Sequence, residues 1–148
     1  NRLFYTASEL GDFSLIWHIL GLTQGLTRRK GEKDAVRLAL ALGVESALVN
    51  GIIKSAYSRE RPTQDEERPH NLRQPLTSSF PSGHASAAFM AASLLSERSK
   101  VKPLWFGAAV VVAVSRIHVK IHHASDVIVG AGIGLILGKV IRKLIRFK

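Results

Sequence analysis

The sequence predicts an all-α protein, a multi-pass transmembrane bundle of five to six helices with its polar motifs gathered at the extracytoplasmic helix ends. Three observations predict it. Five apolar segments recur along the 148 residues. The connections between them alternate between strongly basic and motif-bearing. Glycines in the last segment sit at spacings of two and four, which lets an apolar helix approach a neighbour closely.

The first segment covers residues 13–27 and carries His18. The second, 35–53, is interrupted by Arg37 and Glu45, ionisable groups that are expensive inside a bilayer and tend to be paired or functional there. Segment 85–95 is short and made of small residues, segment 104–115 is uniformly apolar, and segment 127–137 holds Gly130, Gly132 and Gly134, with Gly138 just beyond. None is a clean run of about 20 apolar residues, the length that spans a bilayer unaided. A soluble helical core is the alternative these lengths leave open.

Charge placement favours the membrane. The net charge of +10 would ordinarily point to nucleic acid or an anionic surface. Here the cations cluster at segment ends: Arg28, Arg29, Lys30 and Lys33 in the first connection, then Arg98, Lys100 and Lys102 in the third. Lys139, Arg142, Lys143, Arg146 and Lys148 close the tail. If the five segments cross in alternation, all three clusters share one side, as cytoplasmic loops do. The second connection, 54–83, and the fourth, 116–125, then meet on the opposite side. The expected partner is a bilayer of the cell membrane, with no nucleic acid.

Cysteine is absent, which excludes disulfides and thiolate chemistry. One domain is expected over residues 1–148. The chain opens on Asn1 with no signal-peptide pattern, which leaves room for a further helix upstream. Pro62, Pro69 and Pro75 break the polar stretch 63–80, which reads as a loop lying over the site.

Three strings occupy the two motif-bearing connections: Lys54-x6-Arg61-Pro62, Pro81-Ser82-Gly83-His84, and Ser115-Arg116-x5-His122-x3-Asp126. Each alone has an ordinary reading. A Lys/Arg pair at a helix end is commonly a headgroup anchor, and a Pro-Ser-Gly-His turn is commonly an N-cap. Together they supply three permanent cations, two imidazoles, a carboxylate and a helix start, the means to hold a phosphate and transfer it to histidine. Lys54 and Arg61 are expected two turns apart on one helix face, ended by Pro62. Arg61 offers a two-pronged fork and Lys54 a point charge. Ser82 adds a hydroxyl and Gly83 lets the backbone approach an anion at the helix start. Arg116 is the third cation. Asp126, four residues after His122, is expected to accept the ring Nδ1 proton and leave Nε2 as a nucleophile. His118, His122, His123 and Asp126 also have zinc-like spacing, but a metal beside three cations would be repelled, so no metal and no cofactor are expected. Arg59 is expected to be solvated.

These strings resemble the signature of the type 2 phosphatidic acid phosphatase superfamily, from about Lys54 to Gly130. The chain departs from it at His123 and Ala124, where relatives often carry an aromatic residue and a proline. Lys120 stands where they often carry glycine. The resemblance implies hydrolysis of a lipid phosphate ester or diphosphate through a phosphohistidine. In that scheme His122 attacks, Asp126 orients it, His84 protonates the leaving oxygen and then activates water. Lys54, Arg61, Arg116, Ser82 and Gly83 bind the phosphoryl oxygens. Polyprenyl phosphates or diphosphates, phosphatidic acid and phosphatidylglycerol phosphate are the substrates it implies. A soluble acid phosphatase or haloperoxidase on the same site, and a non-enzymatic binder of anionic headgroups, are the competing readings.

Overall fold

The computed structural model describes residues 2–28, 31–62 and 77–145. Residues 63–76 of the expected covering loop lie outside them, as do Arg29, Lys30, Arg146 and Lys148 of the basic clusters. Six α-helices are present among the described residues: α1 (Arg2–Leu10), α2 (Leu15–Thr27), α3 (Gly31–Ser46), α4 (Gly83–Ser96), α5 (Lys102–His118) and α6 (Ala124–Leu144). Five of them overlap the five apolar segments. The sixth, α1, was not among those segments; it packs along α5, with Phe4 against the His118 ring at 4.6 Å.

The centre of the bundle is α4. Ala85, Ala88, Met90, Ala91 and Ala92 are fully buried, because side chains this small let neighbouring helices close in on every side. The glycines of α6 match them. A Cβ at Gly130 would run into the Ser82 carbonyl, one at Gly134 into the Ser86 carbonyl, and one at Gly138 would lie 2.7 Å from Ser93 Cβ. Gly132 faces open space, so the packing stripe follows the four-residue spacing and not the two-residue one.

The α3 rod continues past Ser46 through a π-helical stretch (Ala47–Ile53) and a 3-10 turn (Lys54–Ala56). Among the described residues, this rod, Gly31–Ala56, and α6 are the two helices long and apolar enough to cross a membrane, with mean hydropathies of 1.6 and 1.8. Large apolar side chains cover the outside of the bundle, among them Leu22, Leu26, Leu40, Ile128 and Ile136. Water would penalise such a surface, whereas lipid tails would not.

The two ends of the bundle differ. At one end, Arg37 donates to Glu97 at 2.6 Å and to the Ile145 carbonyl at 3.0 Å. Arg98 meets Asp34 at 3.4 Å, and Arg142 lies 3.7 Å from Glu97. The first connection, the third and the tail are thus tied together. The second and fourth connections meet at the other end, where Arg61 donates to the Ile121 carbonyl at 3.0 Å. The alternation inferred from charge describes this grouping.

Candidate active site

The end of α5 sets the geometry. Lys120 adopts φ 53°, the left-handed conformation that ends many helices. The Lys120 amide donates to the Ile117 carbonyl at 2.9 Å, and the Ile121 amide to the Arg116 carbonyl at 3.1 Å, which together form a Schellman cap. The His122 amide donates to that same Arg116 carbonyl at 3.1 Å. The reversal therefore brings His122 back beside Arg116. The position where relatives often carry glycine is the one that needs positive φ.

Asp126 and His123 then start α6 as a capping box. Asp126 Oδ2 accepts from the His123 amide at 2.9 Å, and His123 is the N-cap. Asp126 is fully buried. Its other oxygen accepts from Arg59 Nη1 at 2.7 Å, and the same nitrogen reaches Ser125 Oγ at 2.8 Å. Two expectations are corrected here. Arg59 is not merely solvated; it is the ion-pair partner of the buried carboxylate. The Asp126 carboxylate stands 3.7 Å from His122 Nδ1, beyond hydrogen-bond distance, because the helix begins between the two residues and their spacing is not one helical turn.

The Lys54 and Arg61 expectation also changes. The helix stops at Ala56, well before Pro62, so the two cations do not share a helix face. Lys54 is buried on the 3-10 turn. Arg61 reaches the site from chain beyond the helix end, with its guanidinium donating to the Thr77 carbonyl at 2.9 Å as well as to Ile121. Ser82 caps α4, accepting from the Ala85 amide at 3.4 Å, and its own amide donates to the Asp126 carbonyl at 2.9 Å. That bond fastens the α4 start to the α6 start. Arg116, buried within α5, donates through Nη1 to the Ser8 hydroxyl and carbonyl of α1.

A cleft of about 450 Å³ gathers Lys54, Gly83, His84, Arg116 and His122. Arg61 lines an adjoining opening with the other side of His122. Ser82 and Asp126 are buried behind these walls. Burial, followed by the charges of Arg116, Arg61 and Lys54, pushes the His122 pKa well below the usual imidazole range. The ring is therefore neutral at neutral pH. Among the described residues no three His, Asp or Glu side chains form a metal-ligand group, and His118 is stacked on Phe4.

Asp12, Asn50, His18 and Glu45 of this cleft lie outside the motifs. Asp12 meets His84 Nε2 at 2.9 Å. Asn50, on the π-helical stretch one turn before Lys54, fills the space that a Gly83 Cβ would need, 2.6 Å from its Oδ1. His18 lines the mouth. Glu45, whose partner was unassigned, is buried in the cleft wall close enough to Lys54 for their charges to couple. None of the four belongs to a short motif, and only Glu45 and His18 carried a signal, as ionisable groups in apolar segments.

A helical bundle carrying cations, a neutral buried imidazole and a helix start around one cleft defines a phosphoryl-transfer enzyme. The comparisons agree. Residues 34–148 match the PAP2 superfamily, and the chain belongs to that family. It is 30% identical over 134 residues to decaprenylphosphoryl-5-phosphoribose phosphatase of Mycobacterium tuberculosis, spanning 90% of this chain and 74% of that protein. Its fold is similar to the crystal structure of Aquifex aeolicus LpxE, with TM-score 0.76, 32% identity, and coverage of 95% of this chain and 83% of the other. It is also similar to the transmembrane PAP2-type phosphatidylglycerolphosphate phosphatase of Bacillus subtilis, with TM-score 0.74, 25% identity, and coverage of 100% and 79%. The chain is a membrane protein and a lipid phosphatase of the PAP2 type, a superfamily that works through a phosphohistidine.

Proposed function

We propose that this enzyme removes phosphate from a membrane-anchored lipid by transfer to His122, on the extracytoplasmic side of a multi-pass domain. The observation that carries the reading is the convergence of Lys54, Gly83, His84, Arg116 and His122 on one cleft, with Arg61 on the far side of the His122 ring.

In the first step, His122 Nε2 attacks phosphorus while the bond to the lipid oxygen breaks, and His84 gives that oxygen a proton. In the second, water attacks phosphorus, the P–N bond breaks, and His84 takes the water proton. Lys54, Arg61 and Arg116 surround the phosphoryl oxygens where charge builds, together with the α4 N-terminus at Ser82 and Gly83. Asp126, close to Nδ1 and itself held by Arg59, sets the electrostatic side of the ring that keeps its proton. The cations do the work of a metal, so no cofactor takes part.

The substrate is a phosphate ester or diphosphate whose tail rests among the outer-leaflet lipids. Candidates are polyprenyl phosphate and diphosphate, phosphatidic acid and phosphatidylglycerol phosphate. Names of the relatives support both the polyprenyl and the glycerolipid classes. The test is phosphate release from each of these lipids in mixed micelles. Release that persists in excess EDTA and is blocked by vanadate is expected; loss in EDTA with recovery on adding zinc or magnesium would contradict the cation-only site. Sidedness is tested by single cysteines at the exposed positions Ser58 and Lys100. Only the first should react from outside intact cells, and the reverse pattern would place the site on the cytoplasmic face.

A further inference from the structure

As acid and base, His84 needs a group that prepares its ring, and the chain supplies one outside the 34–148 stretch that matches the family. Between α1 and α2 the chain makes a 3-10 turn (Asp12–Ser14), closed by Ser14 at φ 58°. This turn sits against the start of α4. Asp12 Oδ1 lies 2.9 Å from His84 Nε2. The preceding residue, Gly11, is buried, and a Cβ there would fall 2.7 Å from His84 Cδ2. The turn therefore fits one edge of the imidazole, with a glycine admitting Cδ2 and a carboxylate meeting the neighbouring Nε2.

We infer that Asp12 is the positioning residue for His84, holding its Nε2–H so that Nδ1 is the nitrogen that serves the substrate. This rests on the acid–base role of His84 given above. A carboxylate accepting Nε2–H fixes the ring plane and the tautomer, and stabilises the imidazolium. With both nitrogens protonated, Nδ1–H donates to the lipid oxygen as the P–O bond breaks. The neutral ring that remains keeps its proton on Nε2, facing Asp12, so the Nδ1 lone pair is ready to take the water proton. One carboxylate thereby serves both halves of the cycle. Arg116 and Lys54 line the same cleft; burial first, then these two cations, opposes a positive ring, and Asp12 is the anion that counters them in part.

The turn lies in residues 11–14, ahead of the 34–148 stretch that matches the family. This enzyme therefore completes its acid–base pair from its N-terminal segment.

The test uses two esters with the same long chain, one an alkyl phosphate and one a nitrophenyl phosphate, whose leaving group needs no proton. They are assayed in native membranes with the Asp12→Ala, Asp12→Asn, His84→Ala and Asp12→Ala/His84→Ala variants. Asp12→Ala should lower turnover of the alkyl ester by about 10- to 100-fold and the nitrophenyl ester by far less, a smaller loss than the roughly 10²–10⁴-fold that a general acid itself contributes. Asp12→Asn, isosteric but uncharged, should fall between wild type and Asp12→Ala. The double variant should lose no more than His84→Ala alone. Because the ratio of the two esters is taken on one sample, a drop in folded protein does not move it. A ratio at the wild-type value in both Asp12 variants, while His84→Ala raises it, would overturn the proposal alone. An unchanged ratio in His84→Ala would overturn the role of His84 and the proposal with it.

Discussion

The His122 backbone amide donates to the Arg116 carbonyl at 3.1 Å, so the proposed nucleophile and a proposed phosphate-binding cation hang from one helix end. The tie is made by backbone, through a Schellman cap with Lys120 at its left-handed position. Side-chain substitutions in the cleft can therefore change the chemistry without moving this reversal. Positioning to a fraction of an ångström is what an in-line transfer needs, and a backbone bond supplies it more rigidly than a long side chain does.

Lys120 is the weak point of that cap. A non-glycine residue in the left-handed region costs about 1 kcal/mol, and glycine removes the cost at the expense of a freer unfolded chain. Lys120→Gly should therefore raise stability by up to about 1 kcal/mol while leaving turnover within about twofold of wild type. Thermal unfolding in detergent micelles alongside phosphate release checks both parts.

The Arg59–Asp126 pair is partly open, with Arg59 exposed and Asp126 sealed. Removing the cation strands a buried carboxylate, a change that costs several kcal/mol when both partners are buried and much less when one is solvated. Arg59→Gln should cost about 1–2 kcal/mol. The same substitution made in an Asp126→Asn background should cost clearly less, because no charge is left to strand. Equal losses in the two backgrounds would show that the pair carries no coupling.

Much of this was legible in the sequence, and the failures have physical reasons. The five apolar segments and the grouping of connections were legible because helix ends and charge follow simple rules. The expected hydrogen bond from His122 to Asp126 failed because spacing was read as helical across a helix start, where His123 is the cap. Arg59 was expected to be solvated because its partner is not legible once the helix ends at Ala56; Arg59 and Arg61 go to different partners, Asp126 and the Ile121 carbonyl. Asp12 had no pattern around it at all; only folding brings it to His84. The glycine expected by resemblance at position 120 marked a backbone conformation that lysine adopts here.

The neutral His122 ring sets a pH dependence. Its folded pKa is depressed by burial and by Arg116, Arg61 and Lys54, whereas the unfolded value is about 6.5. Below about pH 6.5 the unfolded chain therefore binds the proton that the folded chain refuses, and stability falls as pH drops. The contribution is full above that pH. His122→Asn removes the group and should flatten the acid limb, by up to about 1.4 kcal/mol per pH unit. Melting temperatures of the two proteins between mildly acidic and neutral pH make the comparison. Parallel curves would mean that the ring is not buried against these cations.

The central claim is that phosphate passes through His122. Enzyme mixed briefly with a radiolabelled lipid phosphate and quenched in base should carry label that is stable to alkali and released by acid, as a phosphohistidine is. The label should map to the peptide containing His122. His122→Ala should carry none and lose activity by about 10³-fold or more, while His84→Ala should still become labelled by the nitrophenyl ester. Acid-labile label persisting in His122→Ala, or mapping to His84, would contradict the account.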